Sequence, residues 1–77
     1  MIRTRMIKGK LAFYDSTTGV TLSSIKSVSF TGYPDMLVST VTKDGEIYVY
    51  LPMREGNPLV KLEDAINRMD LIVNKVA

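Results

Sequence analysis

Cysteine and histidine are both missing from this chain of 77 residues. Without cysteine no disulfide can staple the fold, and without either residue a zinc site of the Cys/His type is excluded. The commonest general base and the best thiol nucleophile are missing for the same reason. Carboxylate, lysine, serine and tyrosine side chains are the reactive groups that remain.

The acidic side chains do not cluster in a pattern typical of catalysis. Glu63 and Asp64 are neighbours on a predicted helix, so they point about 100° apart. Asp44 and Glu46 flank a predicted turn, where charge is normally solvated. The five glycines are scattered and form no phosphate-binding loop. We therefore expect a non-enzymatic protein with no catalytic residue, no cofactor and no metal site.

Long apolar runs are also missing. No stretch approaches the ~18 consecutive apolar residues that cross a membrane, and no apolar run typical of a secretory signal follows Arg3 and Arg5. We expect a cytoplasmic protein without a membrane partner, folded as a single domain over residues 1–77. A core of this size is marginal, so we expect self-association as a dimer or larger assembly to add stability.

Positive charge is concentrated in the first part of the chain. Residues 1–33 contain five basic side chains and one acidic one, whereas residues 34–77 contain five basic and seven acidic ones. A basic segment with nearby aromatic rings can follow phosphates and stack on bases. The candidate nucleic-acid contacts are Arg3, Arg5, Lys8, Lys10, Phe13 and Tyr14. The simpler interpretation is an edge strand on which the cations discourage unwanted strand pairing.

The first segment, residues 2–14, is predicted to be extended. Its apolar positions change phase between Met6 and Ile7. Either a β-bulge or a turn near Gly9 produces such a change. Both alternatives remain open from the sequence.

The polar run from Asp15 to Gly19 is typical of a turn. A short strand is predicted over residues 20–22, and the spacing of Leu22 and Ile25 favours a single helical turn or an irregular corner. Alternating apolar residues around Val28 then predict a half-buried strand, which residues 32–35 end.

A β-hairpin is predicted over residues 37–42 and 47–51. The Asp44-Gly45 pair between two alternating apolar runs is a strong signal for a type I′ turn, because both central positions need positive φ. One face of the second strand would carry Ile47, Val49 and Leu51. The other face would carry Tyr48 and Tyr50.

The two tyrosines form a candidate protein interface. Tyrosine is favoured at interfaces because its ring is apolar and its hydroxyl can be paired or hydrated. We predict that the tyrosines lie beside cross-strand neighbours, giving a candidate set of Tyr48, Tyr50, Val38 and Thr40. Packing within the sheet, with no partner, is the alternative interpretation.

The chain after Asn57-Pro58 is predicted to be helical to its end. Asn57 would be the N-cap and Pro58 the first helical residue. An apolar stripe with spacings of three and four supports the helix; its residues are Leu62, Ala65, Ile66, Met69, Ile72, Val73 and Val76. The predicted fold class is α+β, an antiparallel sheet of about four or five strands with this C-terminal amphipathic helix packed on one face.

Several short motifs resemble the small flagellar and swarming-motility proteins. They are Leu-Ser-Ser-Ile-Lys-Ser-Val at 22–28, Tyr-Pro-Asp-Met-Leu-Val at 33–38, Lys-Asp-Gly-Glu-Ile-Tyr-Val at 43–49 and Leu-Glu-Asp-Ala-Ile at 62–66. That family has no assigned chemistry, so the resemblance implies an architecture only. In size and layout the chain is also similar to small phage-encoded proteins that bind host factors.

The leading hypothesis is a protein–protein interaction or assembly module that associates with itself or with another protein. It would act through the uncovered sheet face or the N-terminal edge strand. The alternative is a nucleic-acid-binding protein that uses the basic N-terminal segment.

Overall fold

The computed structural model describes residues 1–15, 17–21 and 25–76. Over these ranges the elements are β1 (Arg3–Ile7), β2 (Lys10–Asp15), β3 (Val20–Thr21), β4 (Ile25–Phe30), β5 (Thr40–Lys43), β6 (Glu46–Tyr50), β7 (Leu59–Lys61), α1 (Leu62–Asn67) and β8 (Leu71–Lys75). They form three antiparallel sheets, β1–β2–β3, β4–β8 and β5–β6–β7. A mostly antiparallel α+β fold is confirmed, but three small sheets replace the predicted single sheet of four or five strands.

The phase change in the first segment is a turn and not a bulge. Lys8 and Gly9 both have positive φ, at 51° and 76°, as a two-residue type I′ turn requires. They join β1 to β2 with Ile7 opposite Lys10 and Met6 opposite Leu11. A two-residue turn pairs an even-numbered residue with an odd-numbered one. The inward-facing apolar residues are therefore even-numbered in β1, such as Met6, and odd-numbered in β2, such as Leu11.

The polar run after β2 forms the predicted turn. The backbone N–H of Gly19 donates to the carbonyl of Asp15 at 2.8 Å, and Gly19 has a φ of 71°. The Asp15 carboxylate accepts a hydrogen bond from the Thr17 N–H at 2.9 Å. The predicted strand at 20–22 is present as β3 over Val20–Thr21. The corner predicted after it falls on residues 22–24, outside the described residues.

The strand predicted around Val28 is β4, and its partner is a strand that the sequence did not predict. β8 runs antiparallel to β4, with Phe30 opposite Leu71 and Val28 opposite Val73. The Phe30 and Leu71 side chains are both 1% exposed. This pairing joins residues that are 41 to 50 positions apart and closes the core at the end of the chain.

The hairpin at Asp44-Gly45 is confirmed. The two turn residues have φ values of 54° and 76°, and Lys43 pairs with Glu46 directly beside them. The first strand begins at Thr40 and not at residue 37. Beyond the hairpin, residues 52–58 form the predicted loop, and β7 then pairs with β6.

The predicted helix starts too early. Asn57 lies in the loop with a φ of 46°, and residues 59–61 are extended because they pair with β6. Lys61 is the N-cap of α1 and makes no side-chain cap hydrogen bond. The Asn57-Pro58 capping prediction is therefore wrong.

The predicted helix also runs too far. Met69 has a φ of 68°, a left-handed conformation that ends the helical path. The chain then extends as β8, where the β-branched residues Ile72 and Val73 lie in a strand beside β4. The long C-terminal helix is thus wrong, and a six-residue helix followed by a strand takes its place.

The core lies between the three sheets and α1. Ile47, Val49 and Leu51, which the sequence placed on one face of the strand, are buried, and α1 contacts β6 from the same side through its own buried residues. The full buried cluster is Phe13, Phe30, Ile47, Val49, Leu51, Leu62, Ala65, Ile66 and Leu71. Across the part of the chain that the structure describes, no helix is long and apolar enough to span a bilayer.

Candidate interaction surfaces

The outer face of the β5–β6–β7 sheet carries a set of exposed apolar side chains. We call it the tyrosine face and define it by Val41, Tyr48, Tyr50 and Leu59. Val41 pairs with Tyr48, and Tyr50 pairs with Leu59, so the register places all four on one side. Val41, Tyr50 and Leu59 are 36%, 38% and 41% exposed, and Tyr48 is half-buried. The opposite side of the same sheet is the core.

A polar cluster borders the tyrosine face. Lys61 Nζ lies 3.1 Å from one oxygen of Glu46, and the Tyr48 hydroxyl donates to the same carboxylate at 3.2 Å. The hydrogen bond from Lys61, and then the one from Tyr48, hold the pKa of Glu46 below its ordinary value. The hydrogen bond to Glu46 raises the pKa of Lys61. Both groups are therefore charged at neutral pH and form a polar rim beside the apolar side chains.

Two of the predicted interface residues lie on the other side of the sheet. Thr40 pairs with Val49 and so belongs to the core side, and Val38 packs against the core cluster. The reason is the two-residue turn, which pairs even-numbered Tyr48 with odd-numbered Val41. The structure keeps Tyr48 and Tyr50 together but replaces Val38 and Thr40 with Val41 and Leu59.

A second surface lies on the outer side of the β1–β2 hairpin. We call it the basic face and define it by Arg3, Arg5, Lys8, Lys10 and Tyr14. Arg3 pairs with Tyr14 and Ile7 pairs with Lys10, so these side chains share one side of the hairpin, while Lys8 lies in its turn. The Arg5 guanidinium carbon lies 5.1 Å from the centre of the Tyr14 ring, which is cation–π distance. Five of the six predicted nucleic-acid contacts are thereby brought together.

Phe13 is the predicted contact that the structure removes from this surface. It pairs with Thr4 on the inner side of the hairpin and is buried in the core, so its ring cannot stack on a base. Arg3 is partly neutralised, because its guanidinium lies 3.7 Å from the carboxylate of Glu63. The remaining cations of the basic face are exposed.

The outer edge of β1 is covered by side chains of α1. The Asn67 amide oxygen accepts the Ile2 N–H at 3.0 Å, and its amide nitrogen donates to the Ile2 carbonyl at 3.0 Å. One turn earlier on the helix, Glu63 accepts the Thr4 N–H at 3.1 Å. The side chains of Glu63 and Asn67 thus bond the outward-facing backbone groups of Thr4 and Ile2, which a neighbouring strand would otherwise pair with.

Sequence reasoning missed this contact. The sequence placed Glu63 beside Asp64 on a predicted helix without a partner, and it indicated no role for Asn67. The spacing of four between two polar residues on a helix was the available signal, but nothing local indicated which strand they would meet. Their contact with β1 spans 59 residues for one pair and 65 for the other.

An apolar groove of about 240 Å³ lies between α1, β8 and the β3 end of the first sheet. Its walls include Val20, Ile66 and Leu71, with Thr18 and Lys75 among the polar side chains that line it. Among the described residues, no group of three or more acidic side chains is placed to hold a metal ion. Of these surface features, the tyrosine face and the basic face were both indicated by the sequence.

Comparison with models of known protein families, with curated proteins and with solved structures finds no match to this chain. The resemblance to the flagellar and swarming-motility proteins stays a prediction. The function is therefore inferred from the chain's own surfaces.

Proposed function

We propose that this protein is a non-enzymatic interaction module that associates with a second copy of itself through the tyrosine face. The observation that carries the proposal is the outward clustering of Val41, Tyr50 and Leu59 on a sheet whose other side is already filled by the core. Exposed apolar residues are ordinary when single, but a contiguous set with a polar rim is typical of interaction sites. The Glu46–Lys61 pair supplies that rim.

The size of the chain supports the same proposal. A 77-residue chain buries only about 60% of the surface that its unfolded form exposes. Small domains usually gain stability from disulfides, metals or partner subunits. This chain has no cysteine, so contact with a second copy adds apolar burial that the monomer lacks.

The substitution Val41→Asp tests the proposal. It places a charge on the tyrosine face at the edge strand β5, and we expect it to abolish association because an unpaired carboxylate cannot be buried cheaply. The molar mass is measured by light scattering over a concentration series. The unmodified chain should rise above 8.6 kDa, whereas Val41→Asp should stay at that value.

Val76→Asp is the matched control, because Val76 is an exposed valine that lies after β8 and away from the tyrosine face. This variant should associate as the unmodified chain does, and circular dichroism should show the same fold for all three proteins. A monomeric unmodified chain would contradict the proposal. Equal disruption by both aspartates would contradict it as well.

Nucleic-acid binding is a second candidate function, favoured by the grouping of four cations and Tyr14 on the basic face. Single strands bind through phosphate contacts and base stacking. For each phosphate contact, the logarithm of the binding constant falls by about 0.7 for every tenfold rise in salt concentration. We expect Lys10→Ala to reduce the slope of log affinity against log salt for a mixed-sequence single-stranded DNA by about 0.7, the value for one phosphate contact. Lys75→Ala removes an exposed lysine elsewhere and should leave it unchanged.

Fluorescence anisotropy with a labelled oligonucleotide at several salt concentrations measures this. Absence of binding at low ionic strength would remove the candidate. An equal effect of the two lysine substitutions would remove it too, because it would indicate attraction by overall charge and not by the basic face.

A further inference from the structure

The edges of the three sheets are not equally protected against pairing with another strand. The β1 edge is covered by Asn67 and Glu63, and β4 is irregular between Ile25 and Ser27. β7 has three residues and leads straight into α1. β8 packs beside α1 and lines the apolar groove. Bulges, covering side chains and short length are the usual ways in which proteins block edge pairing. β5 has none of these features: its four residues are all exposed and its register is regular.

The backbone of β5 presents hydrogen-bonding groups to solvent. Tyr50 N–H donates to the Ser39 carbonyl at 3.4 Å, so residues 39, 41 and 43 are the ones that face β6. Because consecutive residues of a strand point their backbone groups to opposite sides, the N–H and C=O groups of Thr40 and Thr42 point away from the sheet. They lie at the spacing that another antiparallel strand would need.

We propose that β5 pairs with β5 of a second copy, so that two three-stranded sheets become one six-stranded sheet. This inference rests on the proposed self-association and names the edge through which it occurs. Val41 lies opposite Val41 of the second copy, and Thr40 and Thr42 exchange hydrogen bonds with the second copy's Thr42 and Thr40. The arrangement has a two-fold axis, so one patch serves both copies.

The chemistry of β5 fits a second copy. Its single charged residue is Lys43, and the register that centres on Val41 places Lys43 opposite Ser39. No like charges then lie directly opposite each other, which would otherwise destabilise the pair. The tyrosine faces of the two copies then lie side by side on one side of the six-stranded sheet and meet at Val41, which lies at the axis. In a two-fold pair the β5 edges of both copies are paired with each other, so neither β5 edge can bind a third copy.

Thr42→Pro tests the edge directly. Proline has no N–H, and the N–H of Thr42 points away from β6, so the internal hairpin keeps its hydrogen bonds while the outer edge loses a donor. Thr42→Val keeps that N–H and serves as the control. Light scattering should give a dimer for the unmodified chain and for Thr42→Val, and a monomer for Thr42→Pro.

Amide hydrogen exchange tests the same edge in the unmodified chain, without depending on how the proline variant folds. The Thr40 and Thr42 amides should exchange quickly at low concentration and slow at least tenfold as the dimer forms. If Thr42→Pro dimerises as the unmodified chain does, or if these amides stay unprotected in the dimer, pairing through β5 is wrong. Self-association through the tyrosine face would then still stand. If the unmodified chain is monomeric at every concentration, both proposals fail.

Discussion

Replacing Phe30 with alanine is expected to lower the free energy of unfolding by about 3–5 kcal/mol. Phe30 is 1% exposed and is among the largest fully buried side chains in the described chain. It lies opposite Leu71, in the pairing that joins β4 to β8. Its loss removes apolar burial and leaves a cavity at the point where the end of the chain closes the core.

The expected loss is a large fraction of the total. Domains are stabilised by roughly 0.05–0.15 kcal/mol per residue, which corresponds to about 4–12 kcal/mol for a chain of this length. Urea unfolding followed by circular dichroism measures the change. Leu37→Ala is the control, because Leu37 is 89% exposed and should change stability by less than about 0.5 kcal/mol. Equal effects of the two substitutions would contradict the described core.

The double substitution Glu63→Ala and Asn67→Ala is expected to cost about 2–3 kcal/mol. It removes two hydrogen bonds to the backbone of Ile2 and one charge-assisted hydrogen bond to the Thr4 N–H. Net contributions are about 0.5–1.5 kcal/mol for a neutral hydrogen bond and more for a charged one, and partial solvent exposure reduces them here. The ion pair between Glu63 and Arg3 adds little, because the arginine is largely exposed.

This variant should also change the behaviour of the β1 edge. With Ile2 and Thr4 no longer covered, the strand presents free backbone groups and becomes a site for unwanted pairing. Urea unfolding gives the stability, and amide exchange at Thr4 gives the local effect. Arg68→Ala, at an exposed residue just beyond the same helix, should have neither effect. If Thr4 exchange is unchanged in the double variant, α1 does not cover this strand.

The hairpins illustrate what the sequence could predict. Asp44-Gly45 has a specific conformational requirement, positive φ at both positions, and the structure meets it. Lys8-Gly9 meets the same requirement, but lysine is a weaker signal there, so the sequence left both a bulge and a turn open. The turn residues set both hairpins. Asp-Gly is strongly preferred in type I′ turns and Lys-Gly is not, so only the first hairpin could be predicted clearly.

The C-terminal segment shows where periodicity is insufficient. Ile72, Val73 and Val76 fit helical spacing, yet Leu71 to Val73 form part of a strand. The decisive factors were a left-handed residue at Met69 and a partner strand whose paired residues are 41 to 50 positions away in sequence. Neither is visible in a local pattern, because tertiary pairing overrides propensity in short segments.

The candidate surfaces were predicted in part for similar reasons. Tyr48 and Tyr50 were placed correctly on the outer side because strand alternation is local. Their neighbours were not, because cross-strand register depends on the number of residues in the turn. Leu59 was missed entirely, since β7 was predicted as the start of a helix. Sequence reasoning therefore found the centre of the tyrosine face but not its boundary.

Contact between two copies at Val41 is the central claim, and nuclear Overhauser measurements on a mixture of isotope-labelled and unlabelled chains test it most directly. We expect signals between copies from the Val41 methyl groups of one chain to those of the other. Signals between copies that arise only from the basic face, such as those of Ile7 and Tyr14, would contradict the account, and so would a complete lack of signals between copies at high concentration.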